Sequence, residues 1–172
     1  MKTIEKEKLN QLLGIISPAP ALRIAHFSEG GEEMIEQIEK FCSKEEYEYQ
    51  INCVDHDFYE KINRKYSENN TVNPIKFTLN RPRYMMQGKL YEYLFVTANI
   101  AAEMQSDFLK KTHGIIKNAG LIFIFLPKEK SHERDMWLTL LEEHYYVASN
   151  TIDDLFEYYD VIISKKMHGW GG

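Results

Sequence analysis

The sequence predicts a three-layer α/β domain, with a mostly parallel sheet of about seven strands closed by a C-terminal antiparallel hairpin. Three observations carry this expectation. From residue 22 to residue 144, short apolar runs alternate with stretches whose apolar side chains recur at helical spacing. At the end the alternation stops. Only the acidic stretch Thr151 to Glu157 separates YYVASN from YYDVIISKKM, which is too short for the helical crossover of a parallel pair. Finally, 172 residues with 44% hydrophobic side chains suit one sizeable core and not two. The expected organisation is a single domain over 1–172: an N-terminal helical segment (1–20), a core (22–167) and a flexible tail (168–172).

The elements follow in order. Leu9, Leu12, Leu13 and Ile16 lie at helical spacing, and Ser17-Pro18-Ala19-Pro20 stops that helix because proline lacks an amide donor and restricts its predecessor. LRIAHF, Leu22 to Phe27, reads as a buried strand. Ser28-Glu29-Gly30-Gly31 follows, with Ser28 expected as helix cap, then a helix with Met34, Ile35, Ile38, Phe41 and Cys42 inward. Tyr49 to Val54 is the next strand, and Asp57 with Glu60 has capping-box spacing for a helix through Phe58, Ile62 and Tyr66. After the polar SENNTVN, Pro74 to Leu79 reads as a third strand and NRPRYMMQGK as an irregular loop into the central strand YEYLFVTAN. A helix over 101–117, a turn at Lys117-Asn118-Ala119-Gly120, the strand LIFIFL and a helix from Ser131 to His144 complete the alternation.

Acidic side chains outnumber basic ones, 26 to 21, for a formal charge of -5, which argues against wholesale coating of nucleic acid or anionic membrane. Cys42 and Cys53 have neither CxxC spacing nor a histidine at a ligand offset, so neither a zinc site nor a disulfide framework is expected. MKTIEKEKLNQLL carries charges where a signal peptide needs an apolar core, and no apolar run approaches the roughly 20 residues of a membrane span. A cytoplasmic protein is the expectation.

An alternating sheet alone suits flavodoxin-like, receiver-like and dehydrogenase-type domains equally. The closing antiparallel pair is more selective. Together with FLKKTHGIIKNAGLIFIFLP, which looks like a late helix, glycine turn and fifth strand, it resembles the C-terminal half of a class I S-adenosylmethionine-dependent methyltransferase. The resemblance spans about Leu22 to Met167. It implies a Rossmann-like fold, S-adenosylmethionine as cofactor and methyl transfer to an unidentified acceptor.

In that family the first strand ends in a glycine-rich turn that leaves room for the methionine and ribose parts of the cofactor. Here Ala25 and Phe27 stand where glycines are expected, and only Gly30 and Gly31 remain, displaced toward the helix. Phe27 therefore either fills the cofactor volume or packs into the core. The resemblance places Asp55 where a carboxylate accepts from the ribose hydroxyls, Asn80 where the adenine amino group is read, and Asn99 after the fourth strand, where it orients substrate or caps a helix. Thr97-Ala98-Asn99-Ile100 replaces the D/N-P-P-Y/F motif of amino-methylating members.

Charge is uneven: Glu29 to Glu60 holds eleven acidic and two basic residues, Lys61 to Lys89 seven basic and one acidic. Arg81 and Arg83, flanking Pro82 and followed by Tyr84, suit phosphate contact and base stacking or an acidic protein partner. His26 stands at a strand end, where it is a candidate general base or a hydrogen-bonded core histidine. The tail residue Trp170 could dock on its own domain or across a homodimer. Two readings result: a methyltransferase with a divergent cofactor turn, in which Gly30, Gly31, Asp55 and Asn99 serve the site, or a non-catalytic domain of that fold binding a protein or RNA through Arg81 and Arg83. A nucleotide-binding module of another Rossmann-like family would need a phosphate-cradling loop that the sequence lacks.

Overall fold

A computed structural model describes residues 1–167; the expectations for residues 168–172, Trp170 among them, lie outside these. The chain runs α1 (Lys6–Leu13), β1 (Arg23–Ser28), α2 (Glu32–Glu45), β2 (Glu48–Cys53), α3 (His56–Lys65), β3 (Val72–Lys76), β4 (Tyr91–Val96), α4 (Gln105–His113), β5 (Ile116–Pro127), α5 (Arg134–Glu143), β6 (Tyr146–Ile152) and β7 (Tyr159–Lys166). Short 3-10 turns precede α4 and α5. The strand order is β3-β2-β1-β4-β5-β7-β6; β3 through β5 are parallel, while β7 pairs antiparallel with both β5 and β6. The expected architecture is thus the observed one.

Alternate residues of the central strands feed opposite cores. Ile24 of β1 packs with Leu9 of α1, Ile35 of α2 and Ile62 of α3 on one face, whereas Ala25 and Phe27 join Phe108 of α4 and Leu141 of α5 on the other. This is the period-two consequence of strand geometry: the central strands are apolar on both sides because helices cover both, while the border strands β3 and β6 are only partly buried. Among the described residues no helix is long and apolar enough to cross a membrane.

Several boundaries differ from the sequence expectation. The first helix ends at Leu13, not at the prolines, although Ile16 is still buried beyond it. The third strand is Val72–Lys76, two residues earlier than expected, so Phe77 to Asn80 already belong to the following loop. Helix α4 stops at His113, and Ile116 begins a strand. Lys117 to Gly120 is therefore no turn between elements but an irregularity within β5: Tyr91 pairs with Ile116, yet Tyr93 pairs with Leu121. Gly120 is required there by close backbone approach. A Cβ on it would lie 2.5 Å from Ile116 Cγ2 and 2.8 Å from the Glu92 carbonyl. The β1–α2, β2–α3 and β4–α4 units each supply a helical crossover, but β3 reaches β4 through Phe77–Leu90 without one. Phe77 and Tyr84 from this loop fill the core beside Phe27 in its place.

Candidate cofactor cleft

The parallel order reverses direction of growth at β1, between β2 and β4. Ligands of open α/β sheets bind at such a switch point, beyond the carboxyl ends of the strands. Two cavities lie there. One of about 470 Å³ is lined by Glu29 after β1, Val54 after β2, Phe77, Leu79 and Asn80 after β3, and Asn99 and Met104 after β4. The other, about 380 Å³, opens over the ends of β4 and β5, with Thr97, Leu126, Trp137 and Tyr159 in its wall. Glu29 and Asn99 line both and form the partition between them: Glu29 Oε1 accepts the Asn99 backbone N–H at 3.0 Å, and Lys130 Nζ donates to Asn99 Oδ1. Tyr159 is pushed toward higher pKa by burial first and then by the carboxylates of Glu129 and Glu29. Glu29, Glu129 and Tyr159 all line the cavity over β4 and β5.

The structure brings Asn80 and Asn99 together in the larger cavity. Asn99 caps no helix: the caps near it are Ala101 and Met104, neither with a side-chain cap. Gly30 and Gly31 line a third, smaller hollow of about 370 Å³ beside Met1 and Lys61. Gly31 has φ 87°, a left-handed conformation that favours glycine, and a Cβ there would meet the Met1 thioether sulfur at 2.6 Å. Ser28 does not cap α2. Its hydroxyl donates to the Gly30 carbonyl at 2.7 Å and the cap position is Gly31, without a side-chain bond. Asp55, not Asp57, caps α3: its Oδ2 accepts the Phe58 amide at 2.9 Å, and Asp57 sits in the first helical turn.

Phe27 leaves the cleft open. It is fully buried, edge-on to Phe77 and Phe108 with ring centroids 5.1 Å away in both cases, and 5.6 Å from Tyr84. His26 corrects the general-base reading. It points to the opposite core face, fully buried, with Nδ1 2.6 Å from the Tyr49 hydroxyl and Nε2 2.8 Å from Thr97 Oγ1. Burial lowers its pKa to about 3, so the ring is neutral and is held as structure. Arg81 and Arg83 do not act as one clamp either. The Arg81 guanidinium stacks 4.8 Å from the Phe77 ring centre and donates to Met86 Sδ at 3.0 Å, while Arg83 lines a separate cavity against α4. Sequence reasoning missed Glu29, Thr97 and Lys130. Glu29 lies within the glycine turn and Thr97 one residue past β4, positions that the strand ends could have signalled; Lys130 reaches the site only through tertiary placement. Among the described residues no group of three or more His, Cys, Asp or Glu side chains could hold a metal ion.

The chain is similar to an S-adenosylmethionine-dependent O-methyltransferase from Thermotoga maritima, with 11% identity, TM-score 0.73 and coverage of 100% of this chain and 69% of that one. A TehB-like methyltransferase from Corynebacterium glutamicum gives 13% identity, TM-score 0.72 and 92% and 87% coverage. The CurJ carbon methyltransferase gives 12% identity, TM-score 0.71 and 93% coverage of this chain, which spans only 52% of the CurJ chain. No protein-family model matches the sequence, and comparison with curated protein sequences finds no match. At these identities the likeness is one of fold: this chain has the Rossmann-like fold of class I methyltransferases.

Proposed function

We propose that the protein is an S-adenosylmethionine-dependent methyltransferase with an acceptor still to be identified. The observation that supports this most directly is the cavity of about 470 Å³ at the switch point, with Asn80 and Asn99 on its wall. Its volume falls in the range of cofactor sites, roughly 300–1,000 Å³. Apolar Phe77, Leu79 and Met104 suit a planar base, while the Asn80 amide offers both a donor and an acceptor to its edge. Asp55, exposed and next in sequence to the cavity residue Val54 but not itself in the cavity wall, would take the ribose hydroxyls with the carboxylate oxygen that the helix amide leaves free. Asn99 would border the amino-acid portion, and the hollow of about 380 Å³ over β4 and β5 would admit the acceptor, whereas Gly30 and Gly31 face the separate hollow beside Met1 and take no part in this reading.

When bound, the cofactor supplies an electrophilic methyl group on a sulfonium. The chain's contribution is alignment of a nucleophile in line with that group and exclusion of water, which needs no dedicated base. Glu29 and Lys130, fixed on either side of Asn99, hold the two compartments in register.

Calorimetric titration with S-adenosylhomocysteine tests the proposal. Micromolar affinity, weakened in Asn80→Ala, is the expected result. No binding at millimolar concentration would overturn it in favour of a non-catalytic domain of the same fold.

A further inference from the structure

The connection between β3 and β4, lacking the helix that the other parallel crossovers have, leaves a cavity of about 600 Å³ between residues 82–85 and α4. It shares no lining residue with the cofactor cleft. Ile115 in its wall accepts the backbone N–H of Tyr91 at the start of β4, so the cavity lies toward the amino ends of the strands, away from the cleft.

Three cations from two different elements converge on it: Arg83 from the loop, Lys110 and Lys111 from the last turn of α4. One acidic residue, Asp107, faces them, and it is bound to Lys111 at 2.5 Å; Lys111 Nζ also lies 5.6 Å over the Tyr84 ring. Among the described residues, Arg83 and Lys110 have no ion pair or side-chain hydrogen bond. Two uncommitted cations thus flank a hollow on a chain whose formal charge is -5. Helix-dipole compensation accounts for lysines at the end of α4, but not for the arginine that the loop brings to meet them. The rest of the wall is apolar, with Pro82, Met85 and Ile115, and Met85 is 45% exposed.

We propose that this cavity is a second ligand site, taking a phosphorylated small molecule of nucleotide size. Two unit positive charges match a phosphate monoester, which carries about -1.5 to -2 at pH 7. The Arg83 guanidinium offers a planar fork for two of its oxygens, and Lys110 supplies a point charge. The volume exceeds what a bare anion needs, so the apolar wall receives the body of the ligand. Neither the site nor its ligand depends on methyl transfer.

Titration of the full chain with adenosine monophosphate at low ionic strength is the test, with inorganic phosphate, adenosine and S-adenosylhomocysteine as comparisons. Saturable binding of adenosine monophosphate is expected, weaker by about tenfold or more in the doubly substituted R83Q/K110Q chain, because two charge-assisted contacts are lost. Inorganic phosphate should bind more weakly than adenosine monophosphate, and saturating S-adenosylhomocysteine should leave the affinity unchanged. The variant must keep the wild-type melting temperature, as both side chains are exposed. Four results would each overturn the proposal: no heat at about 10 mM ligand, equal affinity in the variant, adenosine binding as tightly as its phosphate, or displacement by S-adenosylhomocysteine, which would place the nucleotide in the cleft. Only the last bears on the cofactor site, so this proposal and the methyltransferase reading fail separately.

Discussion

The imidazole Nδ1 of His26 and the phenol oxygen of Tyr49 lie 2.6 Å apart in the interior of the sheet, on neighbouring strands β1 and β2. On the other side of the ring, Nε2 meets Thr97 Oγ1 at 2.8 Å, and Thr97 Oγ1 in turn reaches the Phe27 carbonyl at 3.4 Å. If Tyr49 donates to Nδ1, every hydrogen in this chain has an acceptor: Nε2–H goes to Thr97 and the Thr97 hydroxyl to Phe27. A neutral ring is what this arrangement needs.

A pH dependence of stability follows. The folded-state pKa of His26 is lowered to about 3 by burial, whereas the unfolded chain takes up the proton near pH 6.5. The unfolded state binds more protons between these values, so stability is complete above the unfolded pKa and falls as pH falls through it. Between pH 7.5 and 5.5 His26 should cost about 1.4 kcal/mol. Urea unfolding of wild type and His26→Gln at both pH values measures it. His113, also lowered by burial, contributes to both proteins and cancels in the comparison. An equal pH response in the two would refute the assignment to His26.

Asp55 has two separable duties. Asp55→Ala should remove about 1 kcal/mol of stability with the α3 cap. Asp55→Asn keeps the cap, since asparagine serves as well there, but loses the charged acceptor, so S-adenosylhomocysteine affinity should fall by about tenfold or more while stability stays level. Calorimetry together with thermal melting distinguishes the two, and unchanged affinity in the Asn variant would reduce Asp55 to a helix cap.

Phe27→Ala should destabilise the domain by about 3–5 kcal/mol, as expected for a fully buried phenylalanine. It should not tighten cofactor binding, because the ring occupies core between Phe77 and Phe108 and not the cleft. Tighter binding in the variant would show that the ring obstructs the site.

Gly120→Ala places a methyl group against the Ile116 side chain and two backbone carbonyls, those of Glu92 and Lys117. Overpacking of this kind costs about 1–3 kcal/mol. Chemical denaturation should show that loss, and Gly88→Ala, which has nothing within 4 Å of the added atom but a φ of 69°, provides a control for backbone strain alone.

Strand and helix alternation was legible because both faces of the sheet are covered, which makes the strands short continuous apolar runs such as LIFIFLP. The antiparallel close was legible from linker length alone. The irregularity at Gly120 was not, because Lys117 to Gly120 has turn composition and is made strand only by pairing with β4. In the candidate site, the places of Asn80 and Asn99 after strands are enough to bring both to the wall of one cavity. Glu29 is not legible, because a carboxylate inside a glycine turn carries no local signal; its hydrogen bond to Asn99 crosses 70 residues of sequence. The choice between Asp55 and Asp57 as cap failed for a different reason, since two aspartates two residues apart offer the same chemistry and the helix start decides between them.

Proline 74, Pro74, sits in the middle of β3, the outermost strand on one side of the sheet. The Thr71 carbonyl and the Phe77 amide bond to β2, so by strand alternation the odd-numbered residues face inward and Pro74 faces out. The outward donor in the centre of that border is missing by covalent structure. At the far border, β6 loses register with β7 between Val147 and Asn150, and Ala148 there adopts φ 54°. Both margins of the sheet therefore resist recruitment of a further strand, whether from a second copy or from an unfolded neighbour. Addition of a further strand, whether toward a dimer or toward a fibril, is therefore disfavoured at Pro74 on one border and at Ala148 on the other.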